Sequence, residues 1–395
     1  MPHPRVSPRA LVARGRAPVT TFGAAFDGRR NAFTLTRWLL AVGVIVSHTF
    51  AVTGWHDFKD PFATLARYQT DLGQLAVCGF FVLSGFLVAK SFEHSPNALI
   101  FLWRRALRVL PAFWLSLILV AFVIAPLLWT HDGHSLSSYW SLRPSPWHYV
   151  TTNAWVTINQ WSIGPVLQHS GFVASGHLPA LNGSLWTLIY EVKCYVVLAA
   201  LGALGLLRYR RVIVGLVGIL FAVQMVHVVA PTYATKLLPA FFDNSVAFLP
   251  FTFFVGVAAY LYRNELVHRD AYAVTAALVT TWSLHYQGFA TIGLLAFAYL
   301  VLWFVLRVDA SWFDRRVGDP SYGTYVYAFP LHVLLADYGL RAYHAHPFAH
   351  ALVVTIVAAV AAATVAGWLS WWLFEKHLQR FKNPRWLVRG SRRAS

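Results

Sequence analysis

"FTLTRWLLAVGVIVSHTF", residues 33–50, decides the class of fold. A helix that crosses the hydrocarbon of a bilayer needs about 20 mostly apolar residues, and this stretch supplies them except at Arg37 and His48. Ionisable groups inside such a segment are costly, which makes both functional suspects. A packing reading stands beside that one: an arginine at a helix end snorkels to the headgroups, and a histidine can bond a neighbouring helix. Eleven residues at helical pitch bring Arg37 and His48 to one face, about 16 Å apart along the axis.

The rest of the chain repeats the pattern. Its 395 residues are 57% hydrophobic and 12% charged, against about 25% charged in soluble domains. The 17 tryptophans and 17 tyrosines suit a chain with many water–lipid boundaries. Cys78 and Cys194 lie in separate apolar runs, which argues against a disulfide framework. Spans are expected near 36–54, 72–90, 109–130, 184–206, 212–230, 246–262, 271–286, 288–306, 321–340 and 350–374; the pair around "HYQG", 285–288, also reads as one bent hairpin. The expected fold is therefore an all-α integral membrane protein, a bundle of about ten transmembrane helices.

Lysine and arginine set the orientation. Of 32, 26 fall in connections on one side, and that side includes the basic arm 1–30 and the basic tail 377–395. Both termini are expected to be cytoplasmic. The net charge of +17 is then a topology signal, and a nucleic-acid partner is not expected. A transmembrane domain over 31–376 is left, with its longest connection, 131–181, outside. That connection is rich in Trp, Ser, His, Gly and Pro, a composition suited to covering or recognising a ligand. No internal repeat is visible.

Several polar residues sit within the spans. "NGSLWTLIYEVKCYVVLAALG" carries Glu191 and Lys193 at a depth like that of His48. Glu191 reads either as half of a structural ion pair or as the partner that orients a His48 general base. In "GFFVLSGFLVAK", Gly79, Ser84 and Gly85 permit close helix approach. Arg104 and Arg108 are i,i+4 neighbours in "FLWRRALRVLPAFW" and, with Arg105, read as a lipid-headgroup contact or as a fork for a phosphorylated ligand. "SYGTYVYAFPLH" aligns Tyr322, Tyr325 and His332. "HDGH" at 131–134 and "HAH" at 344–346 lack ligand spacing, so no metal is expected.

Taken in order, these motifs resemble the acyltransferase-3 family of membrane O-acyltransferases. They are Arg37 to His48, GFFVLSGF, the arginine run ending at Pro111, SLWTLIYE at 184–191 and SYGTYVYAFP at 321–330. The resemblance implies an acyl-CoA donor, usually acetyl-CoA, bound from the cytoplasm, and a hydroxyl acceptor on an extracytoplasmic carbohydrate or lipid-linked glycan. It implies a catalytic His48, as general base or as carrier of the acyl group, with Arg37 and Glu191, donor-binding Ser84, Arg104, Arg105 and Arg108, and acceptor-binding Trp186, Tyr325 and His332. Many relatives carry histidine where this chain has Ala328. The expected location is a bacterial cytoplasmic membrane. The rival reading is a multi-pass glycan or lipid transporter without transferase activity; oligomeric state is unreadable.

Overall fold

The computed structural model describes residues 20–26, 30–53, 59–168, 179–230, 247–343 and 349–383. The "HAH" stretch, most of the N-terminal arm, residues 169–178 of the long connection and the tail beyond 383 lie outside the described residues. Among the described residues the fold is all helical, without strands.

A long helix lies at each of the ten stretches. They are α1 (Phe33–Thr53), α2 (Leu72–Glu93), α3 (Ala98–His131), α4 (Leu188–Ala203) and α5 (Arg210–Val229), then α6 (Phe248–Leu261), α7 (Asp270–Tyr286), α8 (Phe289–Arg307), α9 (Ser321–Tyr343) and α10 (Ala349–Ser370). Seven are long and apolar enough to cross a membrane, with α6, α7 and α9 outside that set. The α7–α8 pair is two helices and not one bent rod. Gln287 and Gly288 join them with φ of 76° and 104°, a left-handed conformation that glycine adopts without strain.

One boundary differs from the sequence expectation. The third span begins at Ala98, eleven residues before 109, because Asn97 caps it by accepting from the Ile100 N–H at 2.8 Å. The resulting 34-residue helix is about 51 Å long, more than hydrocarbon thickness. Arg104, Arg105 and Arg108 are therefore carried on the same continuous helix as the span and not in a separate connection before it. Near its far end Pro126 lacks the N–H that an α-helix needs, and the wide turn Val120–Ile124 absorbs the fault.

Packing gathers the polar positions. α2 and α6 cross at two glycines, and α1 lies between α2 and α9. A Cβ on Gly85 would stand 1.9 Å from the Phe253 carbonyl oxygen, and one on Gly256 would stand 2.1 Å from that of Val82. Backbone-to-backbone contact of this kind is what small residues allow in lipid. α3 meets α4 and α9, so α1, α2, α3, α4 and α9 surround the centre.

Candidate active site

Two cavities meet at that centre, each walled by residues from several helices. The first, of about 90 Å³, is lined by Arg37, Ser84, Arg105, Arg108, Glu191 and Tyr195, with Tyr322 and Tyr325. The second is a cleft of about 490 Å³ lined by Ser47, His48, Lys59, Asp60, Asp71, Gln74 and Trp186, again with Tyr325. Only Val77 and Tyr325 line both. Arg37 and His48 share one helix face, yet each serves a different cavity.

Ion pairs organise the arginine cavity. Asp319, just ahead of α9, accepts from Arg37 at 3.0 Å and from Arg108 at 2.5 Å; Arg108 also reaches Glu375 at 3.3 Å. Burial works against the Asp319 charge, but Arg108 and Arg37, helped by Ser321, hold its carboxyl well below the usual carboxylate range. Ser370 donates to Glu375 and contacts the Tyr327 hydroxyl, which carries the network into α10. Opposite, Glu191 accepts from Ser84 at 2.8 Å and from Tyr195.

These contacts correct two expectations. Glu191 is not hydrogen-bonded to His48: its partners are Ser84 and Tyr195, because it faces the arginine cavity while His48 faces the cleft. Arg104 and Arg108 do not form a fork. Arg104 lies off the cavity and binds the His94 carbonyl, Ser95 and Asn383, while Arg108 is held by two carboxylates. With Arg37, Arg105 and Arg108 set against Glu191, Asp319 and Glu375, the cluster is electrically balanced. Arg105 is the arginine with spare capacity, since its Nε is buried without a hydrogen-bond partner and its Nη2 makes a 3.3 Å bond to Ser91.

His48 packs edge-on against Phe329, with ring centroids 5.1 Å apart. Its Nδ1 has no hydrogen-bond partner, and neither ring nitrogen of fully buried His332 has one. The two imidazoles lie within electrostatic reach of each other, although His332 lines neither cavity. Trp186 stands in the short turn Leu185–Thr187 and borders the cleft. The Tyr325 hydroxyl donates to the Ser184 carbonyl at 2.8 Å and contacts Thr187 at 2.7 Å, which fixes the ring as the wall between cavities. His131 and His134 of "HDGH" stack on Tyr338 and Trp129.

Sequence reasoning missed Asp319, Glu375, Asp60, Asp71 and Gln74. Glu375 ends the apolar stretch 350–374, so the rule that singled out His48 applies to it too. Asp60, Asp71 and Gln74 belong to a short polar connection and the helix start beyond it, where nothing local marks them.

A helical bundle with apolar, membrane-length helices and charge at its centre defines a multi-pass membrane protein whose interior is built for polar chemistry. The chain belongs to the acyltransferase-3 family: the family's acyltransferase domain matches residues 30–374. It is similar to the O-acetyl transferase of Shigella phage Sf6, 24% identical over 316 residues that cover 77% of this chain and 85% of the relative. It is also similar to Nodulation protein 10 of Rhizobium leguminosarum bv. viciae, 28% identical over 177 residues, 44% of this chain and 45% of that one. No solved structure matches. The protein is a membrane-embedded acyltransferase.

Proposed function

We propose that the protein moves an acyl group, acetyl in the first instance, from acyl-CoA at the cytoplasmic end of the bundle to a hydroxyl of an extracytoplasmic carbohydrate. The supporting observation is the thin wall of Val77 and Tyr325 between a cavity lined by Arg105, whose Nε has no hydrogen-bond partner, and a cleft holding His48. Both substrates can meet there without either crossing the membrane. The O-acetyl transferase relative and the family membership support the same reaction. The sequence assigns 26 of 32 basic residues to the side of the arginine cavity, which makes that side cytoplasmic, in a bacterial inner membrane.

The residues present suit such a donor. A space of about 90 Å³ admits a slender chain and no nucleotide, so the phosphates stay at the mouth. Arg105 lines the cavity behind that mouth with its Nε unpartnered, and Lys382 lies within electrostatic reach of Arg104, Arg105 and Arg108. Arg37, Glu191 and Ser84 hold the shape of the passage. The donor is a thioester, already activated for attack by oxygen.

His48 acts as general base because it lines the acceptor's cleft and not the donor's cavity. It takes the proton of the acceptor hydroxyl as that oxygen bonds the thioester carbonyl carbon. The carbon–sulfur bond then breaks, and the imidazolium returns the proton to the departing thiolate. The test is acetyl-CoA consumption by the purified protein with and without a glycan acceptor. His48→Ala is expected to lower turnover by about 10²–10⁴-fold with the protein still folded; near-normal transfer removes His48 from the mechanism. Glycan uptake into vesicles without thioester consumption is the outcome a transporter gives.

A further inference from the structure

The cleft around His48 carries more recognition chemistry than proton transfer requires. We propose that it is the acceptor site and that it selects an uncharged saccharide ring: Trp186 stacks on the ring, while Asp71 and Gln74 hold its hydroxyls beside His48. This rests on the transfer reaction proposed above and adds the substrate class.

Its size, about 490 Å³, falls within the ~300–1,000 Å³ of small-molecule sites. The polar groups on its wall divide into two kinds. Asp60 is framework: it accepts from Ala63 N–H, Leu72 N–H and the Ser47 hydroxyl. Gln69 is framework too, donating to the Ser283 and Leu284 carbonyls and accepting from Phe289 N–H, which ties this connection to the α7–α8 turn. Asp71 and Gln74 are only half used. Asp71 caps α2 by accepting from Gln74 N–H at 2.6 Å, with the Gly73 N–H beside it, and Gln74 accepts from Thr70 at 3.3 Å through its carbonyl. The remaining acceptor sites of the Asp71 carboxylate and the Gln74 amide nitrogen are left for a ligand, an acceptor and a donor within three residues. Hydroxyl groups, which both give and take hydrogen bonds, match that pair.

Two further observations point the same way. Arg67 and Tyr68 adopt φ of 52° and 60°, a conformation costly for residues with a Cβ and concentrated at ligand sites. This kink delivers Gln69 to Gln74 to the cleft. Charge then sets selectivity. The lining holds two carboxylates, Asp60 and Asp71, against one ammonium, Lys59, which sits 4.5 Å from the centre of the Tyr68 ring. A uronate brought here meets two carboxylates and a single cation, and such like-charge juxtaposition is a strong discriminator.

The test uses the full chain in nanodiscs with two probes, a neutral hexose tetrasaccharide and the same sugar bearing one hexuronic acid. Binding to the His48→Ala protein reads the cleft independently of catalysis. The neutral sugar should bind at least tenfold more tightly. Asp71→Asn keeps the helix cap, because asparagine accepts the same bond, and should narrow that ratio at least threefold. In the active protein, Gln74→Ala and Trp186→Phe should each raise the acceptor KM at least tenfold and leave the acetyl-CoA KM unchanged. Equal or tighter binding of the uronate, no binding of either sugar, or an unchanged ratio in Asp71→Asn overturns the proposal. Selective binding without any acetyl transfer leaves the site standing and sinks the reaction.

Discussion

At the scale of single residues, Tyr325 shows how position outranks residue type. Its place in the motif suggests a side chain that touches substrate, but its hydroxyl is already committed to Ser184 and Thr187, and its ring separates the two cavities. With the proposed thioester donor on one side of it, this wall has a measurable role. Tyr325→Ala is expected to raise acceptor-independent hydrolysis of acetyl-CoA at least tenfold, followed by thiol release. Tyr325→Phe keeps the ring and should keep hydrolysis near wild type, while the unsatisfied Ser184 carbonyl lowers stability by about 1–3 kcal/mol. If both variants hydrolyse at the wild-type rate, the ring is not the barrier. Asp319 makes the complementary point: no motif position marked it, yet it holds both Arg37 and Arg108.

At the scale of elements, the α2–α6 crossing sets the spacing of everything else. Lipid offers no hydrophobic gain for helix association, so backbone proximity and van der Waals contact must supply it. Gly85 and Gly256 meet the opposing chain reciprocally, and neither has room for a Cβ. Gly85→Val should therefore cost at least about 1–3 kcal/mol, read as a lower thermal midpoint in detergent. It should also weaken transfer, because Ser84 beside it holds Glu191. A variant with unchanged midpoint would show that the crossing relaxes freely. Gly85 and the apolar stretches follow from local chemistry, which is why the helical stretches were legible. The length of α3 was not, since the charges of Arg104, Arg105 and Arg108 place them in a connection ahead of the span until their partners are known.

At the scale of the whole molecule, the proposed topology puts the two cavities on opposite sides of the membrane. Cys78 and Cys194 are both buried, so the native chain offers little thiol to label. Lys59→Cys, beside the cleft, should react with a membrane-impermeant maleimide on intact cells. Arg208→Cys, exposed in the connection between α4 and α5, should react only after lysis. The reverse pattern would invert the orientation and detach the donor from the arginine cavity.

By itself the amino-acid sequence determined the membrane class, the helical stretches, the direction suggested by basic residues and the suspicion attached to Arg37, His48, Ser84, Arg105 and Glu191. Each of these follows from how a short segment partitions between water and lipid. Only the tertiary structure decided the partners: Glu191 with Ser84 and Tyr195, Arg37 with Asp319, and His48 on a cleft it shares with Asp71 and Trp186. The reason is physical. A buried charge must find a counter-charge or a hydrogen bond, but any of several within reach satisfies that need, and helix packing alone selects which one lies close enough.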